Sequence, residues 1–334
     1  MTNSKLVSLA EAYKDYFKIG AAVTVNDFSG THSELLKKHF NSITAENAMK
    51  FGEIHPEEDR YDFEKPDIMM EFAKNNNIKM RGHTFVWHGQ TSEWVFLDKN
   101  GKEASRELLL ERLQQHVKTV CDRYRDIVYS WDVVNEAIED KTGEQYRDTK
   151  WRRILGPDYI KTVFDIVKQH DSKSSLVYND YNNEQPEKLE KTCRMLEELL
   201  NKGTPIDTVG IQAHWNIRDK FLIDNLKRAI ERYAALGLKI EITELDVSMF
   251  EFEDKRKDLL IPSAEMLDTQ AQVYNDIFSV FREYKELITA VTFWGISDKY
   301  TWKDGFPVPG RKDWPMLFDI NGGKKLSFDR VTDF

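Results

Sequence analysis

The sequence predicts an α/β chain wound into a single (β/α)8 TIM barrel, and three observations carry that expectation. Eight short apolar runs alternate with amphipathic helical patterns, which is how parallel strands joined by crossover helices are written in sequence. The count of eight points to a closed barrel rather than an open doubly wound sheet, and no G-x-G-x-x-G turn follows the first run. Polar and charged residues gather at the C-terminal ends of the runs, the face on which such barrels carry their chemistry.

In chain order, an N-terminal helix with apolar positions Leu6, Leu9, Ala10 and Tyr13 precedes a first strand from Phe17 to Val23. A helix from about Ser33 to Phe40 leads to a second strand, from Ser42 to Asn47. A helix from Pro66 to Asn75 leads to the third, from Lys79 to Trp87. The clearest helix follows, because Leu109, Leu113, Val117, Val120, Cys121 and Tyr124 recur at helical spacing. It feeds a fourth strand that ends at Glu136. The helix from Tyr159 to His170 carries Ile160, Val163, Phe164 and Val167 on one face, ahead of a fifth strand from Ser175 to Asn182. A helix from Pro186 to about Asn201 precedes the sixth strand, from Val209 to Trp215. A helix from Asp219 to Leu236 precedes the seventh, from Ile240 to Val247. A long helix from about Ala264 to Tyr284 leads to the eighth, from Ala290 to Gly295. The longest irregular segments follow strands three, four, seven and eight, all on the C-terminal rim.

At 334 residues the chain is long for one domain, but barrel enzymes routinely reach that size. No Pro/Gly/Ser-rich linker, repeat or low-complexity tract divides it, so one domain over 1–334 is expected. A net charge of −9 argues against nucleic acid or an anionic membrane as the partner and favours a neutral substrate. Cys121 and Cys193 both fall on core-facing helical positions and read as buried free thiols, not as a disulfide or a metal site. No basic segment followed by an apolar run opens the chain, and no stretch is long enough to span a membrane. If Met1 is the native start, a cytoplasmic protein is expected.

The candidate site is organised around the stretch from Gly237 to Val247. Ile240, Ile242, Leu245 and Val247 mark a strand covered on both faces, which should be nearly all apolar. A carboxylate in such a run is costly to bury unless something binds or uses it. Glu244 and Asp246 stand at its C-terminal end. The run from Tyr129 to Glu136 repeats the arrangement, framed by Asp132 and Glu136. Two strand-end glutamates, each beside a hydrogen-bonding neighbour (Asn135, Thr243), read as one carboxylate pair. The other strand ends add Glu46, Asn47 and Lys50; His83, Trp87 and Gln90; Tyr181; Gln212 and His214; and Trp294. Each alone has a bland reading as a rim salt bridge, a satisfied core histidine or simple packing. Seven strands delivering such groups to one rim are harder to dismiss.

A glutamate pair with no phosphate-binding glycine loop suits glycoside hydrolysis. One carboxyl must stay protonated to donate to the leaving oxygen, and the other must be ionised to attack the anomeric carbon. Tryptophan faces stack on sugar rings, while Asn, Gln, Lys and His bond their hydroxyls. No metal and no cofactor is called for.

At this point the sequence resembles a known family. Trp131-Asp-Val-Val-Asn-Glu136 and Ile242-Thr-Glu-Leu-Asp246 are similar to the two catalytic motifs of family 10 glycoside hydrolases, the endo-1,4-β-xylanases. Glu46-Asn-x-x-Lys50, Gly82-His-Thr-Phe-Val-Trp-His88, Tyr178-Asn-Asp-Tyr-Asn182, Gln212-Ala-His-Trp215 and Phe293-Trp-Gly295 match in family order. The resemblance runs from about residue 5 to the end. It implies a TIM barrel acting on xylan or xylo-oligosaccharides by a retaining mechanism, with no carbohydrate-binding module attached. It implies Glu136 as acid/base and Glu244 as nucleophile. His214 would bond Glu244, with Asp246 orienting the imidazole and Gln212 near Glu136. Glu46, Asn47, Lys50, His83, Trp87 and Asn135 would bind sugars on the glycone side, Asn135 at the 2-hydroxyl. Trp294 and Trp302 would wall the cleavage subsite and, with Gln90, crowd the space of a hydroxymethyl group. Asp132 would orient His83 from beneath, and Tyr181 would lie toward the aglycone. The chain departs from the family's pattern at Gly89, at Ser92 and over the segment from Lys303 to Trp314. These positions touch the rim and so bear on chain-length preference rather than on the reaction.

Three rival readings are weaker. A metal-dependent barrel hydrolase could use His83, His88 and His214, but the H-x-H of the first strand is absent. A non-catalytic sugar-binding barrel is consistent with the fold alone, yet both glutamates are intact. A retaining glycosidase acting on cello-oligosaccharides or aryl glycosides would share the chemistry and differ only in substrate.

Overall fold

The computed structural model describes residues 8–334. Nine strands occur among them: β1 (Lys18–Val23), β2 (Ser42–Ala45), β3 (Lys79–Val86), β4 (Val128–Asn135), β5 (Ser175–Asp180), β6 (Thr208–Ile211), β7 (His214–Asn216), β8 (Lys239–Ser248) and β9 (Ile288–Phe293). All pairings are parallel. β1 to β6 pair in succession, β6 then pairs with β8, and β9 closes the ring between β8 and β1. The result is the expected closed eight-stranded barrel, which leaves no free edge in the ring. β7 lies outside the ring and pairs with the upper end of β8, His214 opposite Asp246.

The sixth strand expected from Val209 to Trp215 is therefore two pieces. The break falls at Gln212 and Ala213, and Ala213 takes φ 66°. Leaving the line of β6 at this point carries His214 across to β8. Other strands also stop short of their polar ends. Those expected to reach Asn47, Trp87, Glu136 and Asn182 end at Ala45, Val86, Asn135 and Asp180. The chain turns out of the ladder there, with Glu136 at φ 57° and Asn182 at φ 53°. Such left-handed non-glycine residues cost about 1–3 kcal/mol each and persist where the surroundings over-determine them.

The helices follow their apolar stripes. Tyr159–His170 and Pro186–Asn201 have the expected bounds, and the long eighth helix is Ala264–Glu283. In Arg106–Tyr124, the stripe Leu109, Leu113, Val117, Val120, Cys121 and Tyr124 is entirely buried against the barrel. Each large apolar side chain in such a stripe contributes about 1.5–3 kcal/mol. Ser105 caps this helix by accepting from the Leu108 amide. Cys121 and Cys193 are buried free thiols. Three short helices, Phe51–Ile54, Lys150–Leu155 and Leu326–Thr332, carry too few turns to show a period in sequence. Leu9–Ala12 is the helical part of the N-terminal pattern; Leu6 lies outside the described residues. No described helix is long and apolar enough to cross a membrane.

Two glycines let side chains pass between strands. A Cβ on Gly82 would stand 2.0 Å from the Trp131 ring, and one on Gly210 would stand 2.3 Å from Asn179 Oδ1. Charge fills the middle of the barrel. Arg81 on β3 is fully buried between Asp132 of β4 and Glu241 of β8. Its Nε donates to Glu241 Oε2 at 2.6 Å, and both terminal nitrogens donate to Asp132 in the fork geometry that guanidinium favours. Ser130 donates to Glu241 at 3.1 Å. Asp132 thus does not frame the end of β4; it is sealed midway along the strand, below the rim.

Candidate active site

The site sits where β4 to β8 end. Glu244, buried on β8, is held through both oxygens. Asn179 Nδ2 donates to Oε1 at 2.9 Å, and His214 Nε2 stands 3.2 Å from Oε2. His214 Nδ1 is 3.0 Å from Asp246 Oδ2, which also accepts from Trp302 Nε1 at 2.8 Å. Lys303 Nζ lies 3.4 Å from the other Asp246 oxygen. Burial works against the imidazolium, but Asp246 and the bond to Glu244 push His214 up to about 9. Burial likewise works to raise Glu244, yet the His214 bond and the nearby imidazoles hold it below the usual glutamate range. Glu244 is therefore a buried, ionised carboxylate beside a cation.

Glu136 stands one residue beyond β4. Its Oε2 accepts from Trp87 Nε1 at 2.9 Å, and its Oε1 accepts from Gln212 Nε2 at 3.1 Å and Asn135 Nδ2 at 3.3 Å. His88 Nε2 is 3.9 Å from Oε2. Burial, with Arg147 nearby, pushes His88 down to about 4, so it is neutral at pH 7. Asn135 Oδ1 accepts from Asn179 Nδ2 at 3.0 Å and from Gln212 Nε2 at 3.3 Å. An amide chain of Asn179, Asn135 and Gln212 thus runs from one glutamate to the other. Thr243 donates to Asn179 Oδ1 at 2.6 Å and fixes which way that amide faces.

On one side of the pair, Lys50 donates to Asn47 Oδ1 at 2.9 Å and to Gln90 Oε1 at 2.8 Å, and lies 4.8 Å above the Trp87 ring. Gln90 also donates to Asn47 at 3.1 Å, so it turns toward this corner rather than toward the tryptophans. Burial raises the Glu46 carboxyl, and Lys50 opposes that rise. His83 Nδ1 is 2.7 Å from Asp132 Oδ2, and its ring meets Trp294 edge-on at 5.4 Å. On the other side, Tyr181 OH accepts from Arg147 at 2.8 Å and donates to Asp140. Lys188 lies 3.5 Å over the Tyr181 ring and bonds Asp140 at 2.8 Å. Trp302 completes the wall, 4.7 Å from the His214 ring. Lys50, His83, Trp87, Tyr181 and Lys188 border one cleft of about 1190 Å³ with both glutamates, Trp294 and Trp302, while Glu46, Asn47, Gln90 and Asp132 stand behind its lining.

Sequence reasoning assigned no role to Asn179, Arg81, Glu241, Arg147 or Lys303. A signal existed for the charged pair: Arg81 and Glu241 each interrupt an apolar strand, and opposite charges buried in two strands must find one another. Asn179 lies inside a quoted motif, but its reach to both Asn135 and Glu244 exists only once β5 is placed between β4 and β6. His83, His88 and His214 are each engaged near a different carboxylate set. Among the described residues, no cluster of three or more His, Cys, Asp or Glu side chains could hold a metal ion.

Known proteins are similar to this chain over nearly its whole length. The chain is similar to Endo-1,4-beta-xylanase A of Caldicellulosiruptor saccharolyticus, with 64% identity over 328 residues covering 98% of this chain and 96% of the relative. The crystal structure of an endo-1,4-beta-xylanase from Caldicellulosiruptor owensensis is 67% identical, with a TM-score of 0.98 and coverage of 98% of this chain and 100% of that one. The structure of a mutant in complex with xylotriose is 64% identical, with a TM-score of 0.97 and coverage of 98% and 100%. The family model described as Glycosyl hydrolase family 10 matches residues 8–334, and the chain belongs to that family.

Proposed function

We propose that this protein is an endo-1,4-β-xylanase that cleaves xylan and xylo-oligosaccharides with retention, Glu136 acting as acid/base and Glu244 as nucleophile. The observation that carries the assignment is the unequal surroundings of the two carboxylates. Glu244 is clamped by Asn179 and by a protonated His214, which keeps it ionised for attack. Glu136 accepts only from neutral donors, Trp87, Gln212 and Asn135, so of the two carboxyls it is the one not tied to a cation, as the proton-transferring role requires.

In the first step Glu244 bonds to the anomeric carbon while Glu136 gives its proton to the departing glycosidic oxygen. In the second, Glu136 takes a proton from water, the water oxygen bonds to the same carbon, and Glu244 leaves as a carboxylate. Asn135, locked by Asn179 and Gln212, is presented to the 2-hydroxyl. Trp294 and Trp302 flank the position where a hydroxymethyl group would project, which favours xylose over glucose. The xylotriose held by a relative supports the substrate class. Residues 1–334 are taken as one catalytic domain. The two buried free thiols suit a reducing, cytoplasmic setting, and cell fractionation checks that placement.

Proton NMR during xylotetraose hydrolysis is the test. The β anomer should appear first and mutarotate later; α first would mean inversion, and cleavage of cello-oligosaccharides alone would overturn the substrate. Glu244→Ala should abolish turnover of every substrate. Glu136→Ala should spare the first step on an activated aryl xyloside, and equal losses in both variants there would make the role assignment wrong.

A further inference from the structure

Away from the two glutamates, three buried polar side chains form a relay that the reaction does not use. Asp27 lies in the short 3-10 helix Val25–Phe28 after β1, His32 in the first turn of the helix Gly30–His39, and Ser297 on the loop after β9. His32 Nδ1 is 2.7 Å from Asp27 Oδ1, and His32 Nε2 is 2.7 Å from Ser297 Oγ. The other Asp27 oxygen accepts from the Thr24 amide at 2.7 Å and from its hydroxyl at 3.1 Å. Ser297 Oγ also accepts from the Lys299 amide at 3.3 Å. Carboxylate, imidazole and hydroxyl follow one another as in a hydrolytic triad. Yet Ser297 is fully buried and no member of the relay borders the cleft, so the hydroxyl has no acyl group to attack. The relay holds chain in place instead.

What it holds is the loop that joins Trp294 to Trp302. Beyond Trp302 this loop is fastened to the one after β8. Lys257 donates to the Pro309 carbonyl at 2.7 Å, buried Arg311 donates to the Asp254 carbonyl, and Ser248 donates to Asp313 at 2.5 Å. Behind the loop, Asp298 accepts from the Met316 amide at 2.8 Å and from Lys325 at 2.9 Å. Toward β1, Ser297 ties it through His32, and Tyr300 covers that imidazole edge-on at 5.8 Å. Burying polar groups of this kind contributes less to stability than apolar packing of the same volume would. A network with every member satisfied nevertheless fixes a single geometry, where an apolar contact would let the loop slide.

We propose that Asp27, His32 and Ser297 are positioning residues that set the stance of the wall between Trp294 and Trp302, and through it the discrimination of xylose from glucose. The proposal rests on the xylanase reading above, in which that wall crowds a hydroxymethyl group. Ser297→Ala and His32→Phe are compared with wild type on an aryl xylobioside and the matched aryl cellobioside. Loss of one directed hydrogen bond should narrow the ratio of the two kcat/KM values by about three- to tenfold. Ser297→Thr keeps the hydroxyl and should hold the ratio closer to wild type than Ser297→Ala; the reverse order would overturn the proposal. Equal losses on both substrates would reduce the relay to a support of the fold and overturn it too, as would an unchanged ratio. Ser297→Ala removes a single oxygen and carries the test if His32→Phe does not fold. Fluorine NMR of protein labelled with 5-fluorotryptophan reads the wall without turnover. The Trp294 and Trp302 signals should shift in Ser297→Ala while that of Trp131 stays, and unmoved wall signals would refute the positioning role. If wild type does not favour the xylobioside while the wall signals still move, the positioning role stands and the xylose reading falls.

Discussion

At the scale of single residues, the site depends on a histidine that is charged because of where it stands. His214 titrates near 9 in the folded chain, against about 6.5 for an unperturbed imidazole. A basic group whose value is raised on folding stabilises fully below the unfolded value, and that contribution fades as pH rises through 9. Wild type should therefore lose melting temperature between pH 7 and 9.5, and His214→Asn should lose less over the same interval. Calorimetry checks this; parallel slopes, or an NMR titration of His214 below 7, would refute it. Much of this residue layer was legible because carboxylates at the ends of apolar strands are conspicuous. Asn179 was not, since a neutral amide in a buried strand looks the same whether it bridges two glutamates or only its neighbours.

Elements were legible in proportion to the length of their pattern. The helices Tyr159–His170 and Pro186–Asn201 show several turns of a one-sided apolar stripe, and both ends could be read. Strand ends could not, because the polar residues that leave the ladder are the ones a site requires. The split between β6 and β7 is the sharpest case, hidden in an alanine at φ 66°. Strand packing also explains a demand the sequence states only as a glycine. Gly82→Ala would drive a methyl group into the Trp131 ring, 2.0 Å away, across a ladder in which the two residues are paired. It should destabilise by about 1–3 kcal/mol or more, seen as a lower urea midpoint with an unchanged slope. An unchanged midpoint would mean that the two strands slide apart freely.

For the whole molecule, acid is the weak direction. Burial pushes His39 and His88 down to about 4, and burial with neighbouring His55 holds His116 well below its usual range. Groups kept neutral by folding gain protons in the unfolded chain first, so stability is lost as pH falls from 6.5 toward 4. Asp298, buried and raised to about 6 despite Lys325, works in the opposite sense over the same range. His55 is lowered too, and Glu46, Asp180 and Glu184 are raised as Asp298 is. The carboxylates held low by their partners, Glu244, Asp132 and Asp246 among them, also lose their stabilisation as pH falls, so the melting temperature should drop from pH 6.5 to 4.5. A flat profile there would show that these imidazoles charge without opening the fold.

The ties between the loops after β8 and β9 also govern how the rim moves. Segments fastened by Lys257, Arg311 and Asp313 cannot open one at a time, since releasing either loop breaks bonds that hold the other. They form one cooperative opening unit, whose amides exchange with solvent together and more slowly than those of an isolated loop. The wall of the cleft on this side should therefore yield as a piece, which hydrogen exchange would show as matched protection of the two loops and unmatched protection would refute.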